Sequence, residues 1–97
     1  MSDKKALVTG GSRGIGAAIS VQLAKDGYDI FINYRSNEEA ALKVKEAVEA
    51  EGRECTLLKF DVADIEAVKS ALKPLLENIF IDVLVNNAGI TKDPDPA

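Results

Sequence analysis

The chain has no histidine and a single cysteine, Cys55. An internal disulfide is therefore impossible, the usual cysteine–histidine zinc cage cannot be built, and no imidazole is present for acid–base work. With 3 prolines and 7 glycines the composition is neither disordered nor collagenous. Residues 1–5 lack the apolar run of a signal peptide, and no stretch approaches the roughly 20 apolar residues of a membrane span. A cytoplasmic location without a membrane partner is expected. Positive charge is in deficit, 12 Lys and Arg against 16 Asp and Glu for a net charge of −4, so no overall field gathers nucleic acid. What remains is a chain of 97 residues, 46% hydrophobic and 29% charged. That suits one folded domain, or a fragment of one, and is too short for two cores of ordinary size.

Short apolar runs rich in β-branched residues alternate with longer stretches of helical period, the rhythm of βαβαβαβ. The predicted strands are residues 5–9, 29–33, 56–60 and 82–85. Between the first two, Ile15, Ala18, Ile19 and Leu23 form one helical stripe that ends at Gly27. Asn37 caps a second helix with Ala40, Val44, Ala47 and Val48 on one face, ended by Gly52. Asp64 caps a third, carrying Ile65, Val68, Leu72 and Leu75, with Pro74 straining its last turn. Leu57, Leu58, Phe31 and Phe60 are expected in the core, and residues 91–97 (TKDPDPA) as an unstructured end. Right-handed crossovers between parallel strands make the natural architecture an α/β, Rossmann-type doubly wound parallel sheet in the order 3-2-1-4.

The strongest chemical signal is TGGSRGIG, Thr9 to Gly16, where a strand ends and a helix begins. Glycines there permit positive φ and close approach of a ligand, while the free N–H groups and dipole of a helix start attract phosphate. The predicted ligand is a dinucleotide pyrophosphate; the bland alternative is a tight turn and nothing more. The G-x-x-x-G-x-G spacing of Gly10, Gly14 and Gly16, followed by Asp61-Val62 after the third strand and Asn86-Asn87-Ala88-Gly89 after the fourth, resembles the short-chain dehydrogenase/reductase family over residues 5–90. Within it, VTGGSRGIG, NYRSNEEAA and VLVNNAGIT most resemble the bacterial 3-oxoacyl-acyl-carrier-protein reductases.

In the glycine loop Gly10, Ser12, Gly14, Ile15 and Gly16 are the expected cofactor contacts, at the pyrophosphate, with Arg13 expected to reach the cofactor as well. By the resemblance, Asp61 and Val62 would meet the adenine, and Asn87, Ala88 and Gly89 the adenosine ribose. Asn86 is expected to tie neighbouring strands. At the end of the second strand, where an acidic residue would hold the ribose 2′-OH of NAD, stand Asn33, Tyr34, Arg35 and Ser36. No carboxylate there repels a 2′-phosphate, and Arg13 and Arg35 can each offer it a charge-assisted bond, so NADP(H) is the expected cofactor. The family's frequent 2′-phosphate arginine sits one residue earlier, where this chain has Tyr34. Asp61 has a competing role as a helix cap, and Cys55 reads as an inert thiol.

The family's general acid is a tyrosine in Tyr-x-x-x-Lys. Tyr28 and Tyr34 are followed four residues on by Ile32 and Glu38, so no catalytic residue is assigned and none binds metal. The fourth strand, apolar on both faces, becomes an edge, and the third helix stands alone on its face. Residues 1–90 are thus expected to be the NADP-binding half of a longer reductase, its substrate linked to acyl carrier protein. That half would be completed by further chain or by homo-oligomerisation. A non-catalytic NADP-binding module and an inert fragment are the competing expectations.

Overall fold

A computed structural model describes residues 4–12 and 14–87. Four strands, β1 (Lys5–Thr9), β2 (Asp29–Tyr34), β3 (Cys55–Lys59) and β4 (Val83–Asn86), alternate with three helices, α1 (Gly14–Lys25), α2 (Glu38–Ala50) and α3 (Ile65–Asn78). The sheet order is β3-β2-β1-β4 with every pair parallel, as predicted. Strand ends differ from the expectation by a residue: β2 continues to Tyr34, β3 begins at Cys55 and stops at Lys59, and β4 runs from Val83 to Asn86. Residues 91–97 lie outside the described residues.

One face of the sheet carries the main core. Ala6 and Val8 of β1, Ile30 and Ile32 of β2 and Cys55 of β3 pack with Ala24 of α1 and with Val44 and Val48 of α2. Helix α2 buries Ala41, Val44 and Val48, while the predicted Ala40 and Ala47 flank that stripe half-buried. Its start is set by Asn37, whose Oδ1 accepts the Ala40 N–H at 3.0 Å, and Glu38 and Glu39 place negative charge at the positive end of the helix.

Helix α1 keeps part of its predicted stripe, with Ile19 half-buried and Leu23 half-buried against the core, and departs from the rest. Gly16, Ser20 and Ala24 are buried, whereas Ile15 is 66% exposed and Ala18 is exposed too. The cause is proximity. A Cβ added at Gly11 would stand 3.0 Å from Ile32 Cγ2, 3.2 Å from Ser20 Oγ and 3.2 Å from Val8 Cγ1. The helix lies so near the glycine turn that only small residues fit between them, and the larger Ile15 turns outward. The buried Ser20 hydroxyl is satisfied within the helix, donating to the Gly16 carbonyl at 2.8 Å.

Right-handed crossovers put α3 on the opposite face. There Leu7 and Phe31, register neighbours on β1 and β2, are 3% and 6% exposed, while Leu84, which pairs with Leu7 from the edge strand, is 64% exposed. No α3 residue is buried: Val68, Leu72 and Leu75 are half-buried, and Ile65, predicted to share their face, is exposed. Asp64 caps the helix through the Ala67 N–H at 3.2 Å. Pro74 sits inside α3, which continues beyond it to Asn78. Phe60 is buried as expected, but Leu57 and Leu58, nearer the far edge, are only half-buried.

At the N-terminal ends of the strands, Asp29 gathers Arg53 Nη2 at 2.9 Å, Lys5 Nζ at 3.6 Å and the Glu54 N–H at 3.1 Å. One carboxylate thus ties β1, β2 and the segment entering β3.

The placement of α1 makes a contrast that urea unfolding can read. Ile32→Ala, in the fully buried core, is expected to lower stability by about 2–5 kcal/mol. Ile15→Ala is expected to change it by less than about 0.5 kcal/mol. Similar losses at both positions would contradict the outward placement of Ile15.

Candidate functional site

Because all four strands are parallel, their C-terminal ends share one edge, and every described residue singled out from the sequence collects there. β1 delivers Gly10 and Ser12, β2 delivers Asn33 to Ser36, β3 delivers Asp61 and Val62, and β4 delivers Asn86 and Asn87. Arg13, Ala88 and Gly89 lie outside the described residues. Gly10 and Gly14 hold φ of 63° and 52°, the left-handed backbone that favours glycine.

The turn after β1 is gripped from two sides. On the β2 side, the Gly10 N–H donates to Asn33 Oδ1 at 3.1 Å and the Gly11 N–H donates to the Asn33 carbonyl at 3.1 Å. On the β4 side, Asn87 Nδ2 donates to the Gly10 carbonyl at 3.1 Å. One residue earlier, the Thr9 hydroxyl reaches Asn86 Oδ1 at 3.1 Å and the Val85 carbonyl at 3.3 Å. This is the strand-tying role expected of Asn86. Gly16 completes the grip from above: a Cβ there would collide with the Gly10 carbonyl oxygen and come within 2.7 Å of Asn87 Nδ2.

With Gly10 and Gly11 N–H groups engaged, the donors open to a ligand among the described residues include those of the first turn of α1, at Gly14, Ile15 and Gly16, which have no acceptor within a helix. Nothing lies within 4 Å of a Cβ placed at Gly14, so that approach is open. At the tip of β2 the side chains separate by burial. Asn33 and Tyr34 are buried, while Arg35 and Ser36 are exposed. Asn33 also donates through Nδ2 to the Phe60 carbonyl at 2.8 Å. Asp61 is half-buried and shapes its own turn: Oδ1 accepts the Ala63 N–H at 2.9 Å and the carbonyl accepts the Asp64 N–H at 2.9 Å. Capping of α3 belongs to Asp64, not Asp61.

Within TGGSRGIG the sequence assigns Thr9 and Gly11 no contact of their own, and Ser20 is not singled out. The Gly10-Gly11 pair and a serine four residues after Gly16 were the available signal, small volume where a helix meets a sheet. Cys55 is buried, and burial pushes its thiol up to about 11, with Lys45 opposing the rise and Glu49 adding to it. It stays protonated at neutral pH and is no nucleophile. An open groove lined by Lys4, Lys5, Asn78, Ile79, Phe80 and Asp82 lies at the opposite edge, at the strands' N-terminal ends, away from all these groups. Among the described residues there is no cluster of three or more metal-ligating side chains, and no helix is long and apolar enough to cross a membrane.

The crowding at Gly16 and the open space at Gly14 predict unequal responses to the same added methyl group. Gly16→Ala, pressed against rigid backbone, is expected to lower stability by about 3 kcal/mol, and Gly14→Ala by about 1 kcal/mol through its left-handed backbone alone. Equal losses in urea unfolding would remove the crowding argument.

Comparison with known proteins agrees with this geometry. The chain is 46% identical over 91 residues to the 3-oxoacyl-[acyl-carrier-protein] reductase FabG of Staphylococcus aureus, covering 93% of this chain and 37% of that protein. It is 43% identical over 90 residues to general stress protein 39 of Bacillus subtilis, covering 92% of this chain and 32% of that protein. Among solved structures it superposes on a short-chain dehydrogenase/reductase from Serratia marcescens with a TM-score of 0.82 and 39% identity, covering 91% of this chain and 36% of that one. It superposes on acetoin dehydrogenase from Enterobacter cloacae with a TM-score of 0.81 and 33% identity, covering 91% and 35%. The chain therefore spans about a third of the length of these relatives. The family model for short chain dehydrogenases matches residues 4–96. With the strand order, the glycine turn and the asparagine pair at the end of β4 all in place, the chain belongs to the short chain dehydrogenase family.

Proposed function

We propose that the C-terminal edge of the sheet binds NADPH, and that residues 1–90 are the cofactor-binding part of a reductase. The observation that carries this reading is the tip of β2. Its two buried side chains leave Arg35 and Ser36 as the exposed groups there, with no carboxylate between residues 33 and 36. An anionic 2′-phosphate meets a guanidinium and a hydroxyl at that place and no like charge. Ser12 and the N–H groups at Gly14, Ile15 and Gly16 hold the pyrophosphate, and Arg13 joins Arg35 in offering the 2′-phosphate a charge-assisted bond. Asp61, with the Val62 backbone beside it, accepts a hydrogen bond from the adenine amine, and Asn87, Ala88 and Gly89 line the ribose. Tyr34 and Asn33 act from below, setting the backbone of this edge.

NADPH supplies a hydride; these residues bind and orient the adenosine end of its carrier. The general acid and the substrate pocket are supplied by further chain, since neither tyrosine is followed four residues later by lysine. The 3-oxoacyl thioester of acyl carrier protein is the proposed substrate, on the strength of the similarity to reductases of that name. The setting is cytoplasmic, and the exposed Leu84 edge is covered by that further chain or by a second copy. The intact mass of the cellular product separates this reading from a stand-alone module. A chain near 250 residues, the family's usual size, supports the reductase; one ending at Ala97 leaves NADPH binding as the whole function.

Arg35→Asp tests the cofactor reading by calorimetric titration. NADPH affinity is expected to fall roughly ten- to a hundredfold, as befits a lost charge-assisted bond replaced by repulsion, with NADH affinity nearly unchanged. Equal loss for both cofactors would take Arg35 out of the site.

A further inference from the structure

We infer that Asn33 is a positioning residue that couples the glycine turn to the turn after β3, so that the two ends of the ligand cradle are held as one unit. The inference rests on the NADPH reading and deepens it. Asn33 is 3% exposed, so its side chain acts within the fold. Its two polar atoms point in different directions along the edge. Oδ1 accepts the Gly10 N–H at 3.1 Å, on the turn assigned to the pyrophosphate, and Nδ2 donates to the Phe60 carbonyl at 2.8 Å, one residue before Asp61, assigned to the adenine. The main chain repeats the link, the Gly11 N–H donating to the Asn33 carbonyl and the Phe60 N–H to the Tyr34 carbonyl at 3.0 Å.

The chemistry needs an amide. A primary amide carries its acceptor and its donor on two separate atoms, so it can reach two partners that lie in different directions, which a single hydroxyl oxygen does not. A carboxylate keeps the bond to Gly10, but it loses the donor and sets a buried negative charge against the Phe60 carbonyl. Leucine keeps the volume and leaves both the Gly10 N–H and the Phe60 carbonyl without a partner. Asn33 thus sets the spacing between the two turns, and that spacing matters to a ligand gripping both while being irrelevant to one gripping either alone. The benefit of holding two subsites at the right separation is an effective-concentration gain, and it vanishes when the separation drifts.

The experiment titrates the wild-type chain, Asn33→Asp and Asn33→Leu with NADPH, with adenosine 2′-monophosphate, which has no 5′-phosphate to reach the glycine turn, and with inorganic pyrophosphate. The expected result for each variant is a loss in NADPH affinity of roughly ten- to a hundredfold. Each fragment should change by less than about threefold. A loss equal for NADPH and its fragments, or no loss, overturns the coupling while leaving the cofactor reading intact. Wild-type chain that binds no NADPH overturns the reading and the inference with it.

A measurement on the wild-type chain covers the case of variants that do not fold. Pyrophosphate, seated at the glycine turn, is expected to shift the amide resonances of Phe60 and Asp61 and to slow exchange of the Asn33 side-chain amide relative to exposed Asn37. Shifts confined to the glycine turn would overturn the coupling.

Discussion

The separation between the first turn of α1 and the end of β1 governs most of the rest. The helix comes down onto the sheet where a side chain at Gly11 or Gly16 would have nowhere to go, against Ile32, Val8 and Ser20 in one case and the Gly10 carbonyl in the other. Close approach puts the helix start, with its unpaired N–H groups, directly over the edge where strands β1 and β4 part. It also dictates which residues of α1 face inward. Gly16, Ser20 and Ala24 are its buried residues, Leu23 packs half-buried against the core, and Ile15 faces outward.

A turn pressed this close must also be held, because its backbone groups are partly buried and water cannot satisfy them all. Asn33 and Asn87 take the N–H and the carbonyl of Gly10 from opposite sides, while Thr9 and Asn86 tie the adjoining strands. The other end of the sheet is held differently, by charge: Asp29 gathers Arg53, Lys5 and the Glu54 N–H. Neutral amides grip the glycine turn at the functional edge, where the helix start, Arg35 and Asp61 supply the charge, and the ion-pair cluster stays at the far edge. The two faces are equally unlike. The α1/α2 side is a packed core, whereas on the α3 side Leu7 and Phe31 are covered and Leu84 is not.

Much of this was legible in the chain, because the signals were local. Apolar runs of β-branched residues marked the strands, Asn37 and Asp64 marked helix starts by what their side chains accept, and the parallel order followed from crossover handedness. The inward face of α1 was not legible by the same means. Periodicity registers apolar area, so Ile15 drew the stripe toward itself, while the residues that meet the sheet do so by lacking volume. Asn33 was placed at the cofactor edge by position alone. Its partners lie 23 and 27 residues away, at Gly10 and Phe60, and only the assembled sheet brings them to the two ends of one amide.

The central claim is that the strands' C-terminal edge is a nucleotide cradle with its phosphate contacts at the start of α1 and the tip of β2. Mapping backbone amide shifts as NADPH is added to the full chain tests it directly. The account predicts the largest shifts at Ser12, Gly14, Ile15 and Gly16, then at Arg35, Ser36 and Asp61, with Lys4, Lys5 and Asp82 at the far edge unmoved. Shifts centred on that far edge, or none at saturating NADPH, would contradict it.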